Sequence, residues 1–207
     1  MVVSAGAAAA DNSSAQEPPA SEKQATLGSL GKRTVMDVPW SVQTMSSPLI
    51  NEQQLKSVKD VYRYMPSVQG DGVRPQTRGM QGSVVQNHMI DGLNAVSTTE
   101  YPAEQFQSVE VLSGLAGSLY GPANPAGMFN LVSKRPTDTP LHRVTVGTST
   151  GNGTLTSMDF SGPIDDGDRV KYRLNLLNDE GHGYTSGSHK RRQYAGQIGR
   201  ASCRERV

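Results

Sequence analysis

From Pro140 onward the apolar residues of this chain recur at every second position. In the clearest stretch Val170, Tyr172, Leu174 and Leu176 share one side, while Lys171, Arg173 and Asn175 share the other. Thr154, Thr156, Met158 and Phe160 alternate less cleanly with Leu155, Ser157 and Asp159, and Val144 and Val146 open an earlier run. A period of two is the side-chain repeat of an extended strand, so the last third of the chain must be sheet. The connections alternate in length: Gly151-Asn152-Gly153, a tight Gly162 to Gly167, then a long polar stretch from Asp179 to Lys190.

Runs of about ten residues with one apolar and one polar face, joined by alternating turns and loops, are how transmembrane β-barrel strands read. A soluble antiparallel sheet with one wet face reads the same way. Residues 141–197 have room for three to four such strands, which is too few to close a barrel.

Upstream the pattern is different. Ser47-Pro48, with Leu49, Ile50 and Leu55 behind it, reads as an N-cap followed by proline at the first helical position. Ser57 with Asp60 three residues on fits a capping box, and Val58, Val61, Tyr62 and Met65 fall on one helical face until Pro66 stops it. Two short helices are therefore expected over about residues 48–65. From Ser67 to Arg135 short apolar runs are broken by glycine. Asp91-Gly92 is a turn pair, Val109–Leu112 and Met128–Val132 are strand candidates, and Gly114–Tyr120 is expected as a short helix. Interleaved short helices and strands with tight turns indicate a compact α+β domain built on a small mixed sheet, over residues 34–140.

The ends carry little that folds. Ala8 and Ala10 before Asp11 fit an A-x-A cleavage site, so residues 1–10 read as the remnant of an export signal. Residues 11–33 are read as a disordered N-terminal segment, because Asp11 to Glu22 is Ser/Ala/Glu/Pro-rich with almost nothing to bury. The last ten residues, Ile198 to Val207 (IGRASCRERV), resemble the conceptual translation of a sequencing adapter. They contain the only cysteine, Cys203, so neither a disulfide framework nor a CxxC zinc site is expected. With 20 Lys+Arg against 19 Asp+Glu, charge gives no argument for a nucleic-acid partner. His88, His142, His182 and His189 lack metal-ligand spacing, and no nucleophile elbow, Walker loop or dinucleotide fingerprint is present. No metal site, cofactor or enzymatic activity is expected.

The order of segments adds a resemblance. Asp37–Val42 (DVPWSV), Ser57–Val68 (SVKDVYRYMPSV), Thr77-Arg78-Gly79, His88–Asn94 (HMIDGLN), Ser108–Leu112 (SVEVL), Leu119-Tyr120-Gly121 and Asn124–Pro136 (NPAGMFNLVSKRP) are collinear with the plug domain of TonB-dependent outer-membrane receptors. The resemblance covers residues 26–197, and the YMPSV and NLVSKRP segments are most similar to the ferric-siderophore branch, hydroxamate-type receptors especially. It implies an α+β plug followed by the first three to four antiparallel strands of a transmembrane β-barrel, within a barrel of about 22 strands whose lumen the plug fills. It implies residence in the cell outer membrane among its lipids. It also implies uptake of an iron–siderophore complex, without chemistry on it, driven by TonB of the inner-membrane energy-transducing complex. Heme, cobalamin and nickel-chelate receptors use the same scaffold and stay open as alternatives. A regulatory periplasmic domain and a soluble β-rich binding protein or hydrolase are the rival classes; the short N-terminal segment disfavours the first, and the lack of a catalytic constellation disfavours the second.

Residue roles carry over only where the motif matches. Arg78 matches the arginine that locks the plug onto barrel glutamates. The family's second arginine is replaced here by Ser113, which leaves that half of the lock in question. Residues 70–74, 81–87 and 95–101 match the outward loops, where Arg74, Gln81, Gln86 and Tyr101 are donors suited to a bulky anionic ligand. The TonB box is expected between the leader and Val35. Thr26, Leu27 and Leu30 form the apolar cluster there, and such segments bind TonB by adding a strand.

Overall fold

In a computed structural model of the chain the described residues are 2–5, 24–26, 31–38, 40–69, 74–96, 98–113, 120–121, 124–149, 153–165, 169–182 and 188–201. The chain divides into two compact units, residues 17–134 and residues 1–16 with 135–207. The strand β1 (Val2–Ala5) belongs to the second of these.

The first unit begins with a hairpin of β2 (Gln24–Thr26) and β3 (Lys32–Thr34). This differs from the disorder expected over residues 11–33, and the reason is packing. Ala25 is 1% exposed, in a cluster with Val42, Met89, Leu112 and Met128. Next come β4 (Ser41–Ser46), α1 (Ser47–Glu52) and α2 (Val58–Tyr62). The two helices lie where the apolar spacing placed them, with one shift. Ser46, not Ser47, is the N-cap of α1, and Pro48 sits within its first turn. The capping box of α2 is formed in full: the Asp60 backbone N–H donates to Ser57 Oγ at 3.4 Å, and the Ser57 N–H donates to Asp60 Oδ2 at 3.2 Å.

A three-stranded sheet follows, of β5 (Val68–Gln69), β6 (Gln76–Thr77) and β7 (Met80–Gln81). The main sheet is completed by β8 (His88–Ile90), β9 (Leu93–Asn94), β10 (Phe106–Ser113) and β11 (Met128–Ser133), in the order β4-β10-β11-β8-β9. It is mixed: β11 runs parallel to β8, and every other neighbour is antiparallel. The central strands are covered on both faces. Val109, Val111, Phe129 and Leu131 pack with Ile50, Val58, Val61 and Tyr62 of the helices, while Leu112 and Met128 face Ala25 and Val42. The expected helix at residues 114–119 lies outside the described residues.

In the second unit β12 (Leu141–Ser149), β13 (Gly153–Pro163), β14 (Val170–His182) and β15 (His189–Ala201) form an antiparallel meander, with β1 paired to the free side of β12. Strands of 9 to 13 residues reach or exceed the length that crosses a bilayer. Ile198–Ala201 continue β15 opposite Arg173 to Val170. The unit begins at Arg135 rather than after Pro140, because the connecting segment is tied to the strands. Arg173 Nη1 donates to the Arg135 carbonyl at 2.8 Å, Thr137 N–H donates to Ser161 Oγ at 2.9 Å, and Lys171 pairs with Asp138.

The distribution of side chains across this meander is inverted relative to a soluble sheet. Its polar side is the covered one, with Asp159, Ser161, Arg173, Asn175 and Asp179 all buried. Its apolar side is open, with Val146, Val170 and Leu176 at 53%, 40% and 36% exposure. Water would favour the reverse, which argues against the soluble-sheet alternative.

Candidate functional site

The first unit presents two tight turns of like geometry. Between β6 and β7 the register pairs Thr77 with Met80, leaving Arg78 and Gly79 as a two-residue loop. Both have positive φ, 54° and 74°, which is a type I′ turn. Asp91 and Gly92 repeat this geometry between β8 and β9, with φ of 52° and 81°. Asp91-Gly92 is a favoured pair for such a turn; arginine is not. A non-glycine residue held left-handed costs about 1–2 kcal/mol. Arg78 is exposed, on a backbone held in the left-handed region.

Arg74, Arg78 and Gln81 are thus gathered on one small sheet or its flank, all exposed. Gln86 is also exposed, at the far end of the loop that leaves β7. Tyr101 is placed differently. It is half-buried against the helical core, edge-on to Phe106 with ring centroids 6.3 Å apart, and its hydroxyl donates to the Val96 carbonyl at 3.0 Å. Its segment is strapped to α2: Val58 N–H donates to the Tyr101 carbonyl at 3.1 Å, and Lys59 pairs with Glu100 at 3.2 Å. Thr26 lies in β2 opposite Lys32, while Leu27 and Leu30 lie outside the described residues. Ser113 ends β10 and is buried.

Several buried polar groups of this unit carry no signal in the sequence. Glu110 is 1% exposed in the middle of β10 and accepts from Asn130 Nδ2 at 3.0 Å. Asn130 Oδ1 in turn accepts the Gly92 N–H at 3.0 Å, and Asp91 Oδ1 accepts the Ser133 N–H at 2.9 Å, so the second turn is fastened to β11. The carboxylate reaches Tyr120 electrostatically: burial first, then the Glu110 charge, pushes that phenol up to about 12. Polar residues inside apolar strands were visible, but their partners lie about 20 or 40 residues away in sequence.

His88 is 4% exposed, stacks on Phe129 at 5.2 Å, and leaves Nε2 without a hydrogen-bond partner. Burial pulls its imidazole down to about 4. Beside it a cavity of about 20 Å³ opens between Tyr62, Tyr101 and Leu131, which is room for about one water. Among the described residues no group of three or more His, Cys, Asp or Glu side chains is arranged to hold a metal ion.

Known proteins share this architecture. The family model described as TonB-dependent Receptor Plug Domain matches residues 34–128. The ferrichrome outer membrane transporter/phage receptor of Escherichia coli K12 is 29% identical over 205 residues, covering 90% of this chain and 27% of that protein. The ferrioxamine B receptor of Salmonella typhimurium LT2 is 26% identical over 152 residues, covering 67% of this chain and 22% of that one. The crystal structure of the ferripyoverdine receptor of Pseudomonas aeruginosa superposes with a TM-score of 0.79 at 19% identity, over 93% of this chain and 27% of that chain. That similarity is one of fold. The chain spans about a quarter of the length of the curated relatives it matches. The mixed sheet with its two helices, the collinear motifs and the family match agree: residues 34–128 match the plug domain of the TonB-dependent receptors.

Proposed function

We propose that the chain is part of an outer-membrane receptor for TonB-dependent, energy-coupled uptake of a ferric siderophore, with hydroxamate types favoured. The observation that carries the reading is the join between a plug sheet and a meander with its polar side covered and its apolar side open. Strands of that kind suit a barrel wall whose outer side meets lipid and whose inner side meets a polar filling. A wide barrel without a filling would be an open pore. Relatives named for ferrichrome and ferrioxamine B support the ligand class.

The chain's own residues supply binding and force transmission, with no bond of the ligand made or broken. Arg74, Gln81 and Gln86 offer exposed donors to an oxygen-rich iron complex, with Tyr101 beside them in the same reading. Arg78 locks the plug to barrel carboxylates. Its two-residue turn fixes where the side chain leaves the sheet, and a charge that the barrel would bury needs a partner held in place. Thr26, Leu27 and Leu30 form the TonB box. Thr26 already has a strand partner in β3, so strand addition by TonB at that edge requires the β2–β3 hairpin to open. Pulling there would draw first on Ala25 in the core beside β4.

The test is complementation. The complete gene, placed in a receptor-deficient strain under iron limitation, should restore growth on ferrichrome or ferrioxamine B, and only when TonB is present. Growth restored by heme or cobalamin but by no ferric siderophore would move the assignment to another nutrient. Growth that is independent of TonB would overturn the mechanism.

A further inference from the structure

The segment Asn124-Pro125-Ala126-Gly127 opens one of the collinear motifs, but the receptor reading gives its residues no role. We propose that Asn124, together with Asn87, forms a pair of positioning residues that set loop 81–87 against the plug core, and with it Gln81 and Gln86. The inference rests on the ligand-receptor reading above and deepens it.

Asn87 is fully buried, so it touches no ligand. Its side chain is nonetheless used at both ends. Oδ1 accepts the Ser83 N–H at 2.8 Å, and Nδ2 donates to the carbonyls of Asn124, at 2.9 Å, and Gly127. Its own carbonyl accepts the Phe129 N–H at 2.8 Å. Asn124 completes the frame from the other side. Its Oδ1 accepts the Ala126 N–H at 2.9 Å, and its Nδ2 donates to the Gln81 carbonyl at 3.1 Å. Both ends of loop 81–87 are therefore tied to the same four-residue segment, one by each asparagine.

That segment is itself immobilised. Gly127 has a φ of +99°, and a Cβ built there would stand 2.6 Å from the Leu112 carbonyl of β10. The packing continues into the loop, where a Cβ at Gly82 would meet Asn87 Cβ at 3.3 Å. The close approach to β10 and the two amides thus hold a loop whose glutamines are exposed. Only an amide does this. Aspartate keeps the acceptor but loses both donors and sets a negative charge against two carbonyls.

The test uses the complete receptor in outer membranes, with ferrichrome and ferrioxamine B as probes. Asn87→Asp and Asn124→Asp are each made alone and in a Gln81→Ala/Gln86→Ala background. Asn87→Asp should weaken equilibrium binding about tenfold and leave the maximal uptake rate at saturating probe within about twofold; Asn124→Asp should do the same to a smaller degree. In the background lacking both glutamines, either change should cost less than about twofold, because the loop then has nothing to position. Amide hydrogen exchange over residues 81–87 should speed up about tenfold in Asn87→Asp, while β10 and β11 keep their protection. Unchanged binding, a full tenfold loss persisting without the glutamines, or unaltered loop exchange would each overturn the proposal. If Asn87→Asp does not assemble, Asn124→Asp decides by the same cycle. If the unmodified receptor binds neither probe, the siderophore reading fails, and the positioning role still stands or falls on the exchange result.

Discussion

The covered face of the meander holds a buried ion pair whose removal should be costly. Arg173 Nε and Nη2 donate to the two Asp159 oxygens at 2.9 and 2.7 Å, and both side chains are under 10% exposed. Arg173 also donates to the Arg135 carbonyl, and the Asn175 amide nitrogen donates to Asp159. Replacing Arg173 with methionine keeps much of the volume but takes both guanidinium bonds away from a buried carboxylate. Breaking a buried pair from one side costs about 3–5 kcal/mol. Asp159→Asn should cost less, since an amide oxygen still accepts one bond and Arg173 keeps its carbonyl. The double variant Arg173→Met/Asp159→Leu leaves no charge behind and should recover most of the loss. The assay is guanidinium unfolding of the refolded receptor in detergent, followed by circular dichroism, for the wild type, the two single variants Arg173→Met and Asp159→Leu, and the double. A cost below about 1 kcal/mol for Arg173→Met would mean that the pair behaves as a solvated surface pair. That result, or a double variant as damaged as the sum of its singles, would refute the covered polar face.

Four further outcomes follow from the plug. Gly127→Ala should destabilise it by well over 1 kcal/mol, since φ is positive and a Cβ would collide with the Leu112 carbonyl. Gly79→Ala, at φ +74° with open space around it, should cost only about 1 kcal/mol in chemical denaturation. His88 is held neutral by burial, with its folded value near 4, below that of the unfolded chain. Its contribution is therefore present above about pH 6.5 and is lost as pH falls toward 4, where the unfolded state binds the extra proton. His88→Phe should flatten that part of the stability–pH curve; an unchanged slope would refute the assignment. Arg78→Asn should raise plug stability by up to about 1 kcal/mol by relieving a left-handed arginine, yet lower siderophore uptake if Arg78 is the lock.

The parts of this chain that were legible in the sequence are those governed by local spacing. The capping box at Ser57 and Asp60, the apolar face of α2 and the Asp91-Gly92 turn all depend on residues within four positions of each other. The strand at Val109–Leu112 was found but was read too short. Gln107 and Ser108 interrupt its apolar pattern; Gln107 falls at a bulge, and Ser108 is accommodated between Ser46 of β4 and Val132 of β11. The β2–β3 hairpin was missed for the opposite reason, since a polar segment is ordered by one small residue, Ala25, entering a distant core. Of the site residues, Arg74, Arg78, Gln81 and Gln86 are exposed on turns and loops, whereas the anchoring of Tyr101 to Phe106 and Val96 had no sequence signal.

By itself the sequence determined where strands alternate, where helices begin, and the collinear motifs that point to a plug. Period and capping are properties of neighbouring residues, and they survive without a fold. Which side of the meander is covered was decided only by tertiary structure. Val170, Tyr172, Leu174 and Leu176 define a face, but a face has no inside until other segments lie against one side of it. The structure places Asp159, Arg173 and Asp179 on the covered side, where each charge finds a partner, and leaves the aliphatic side open.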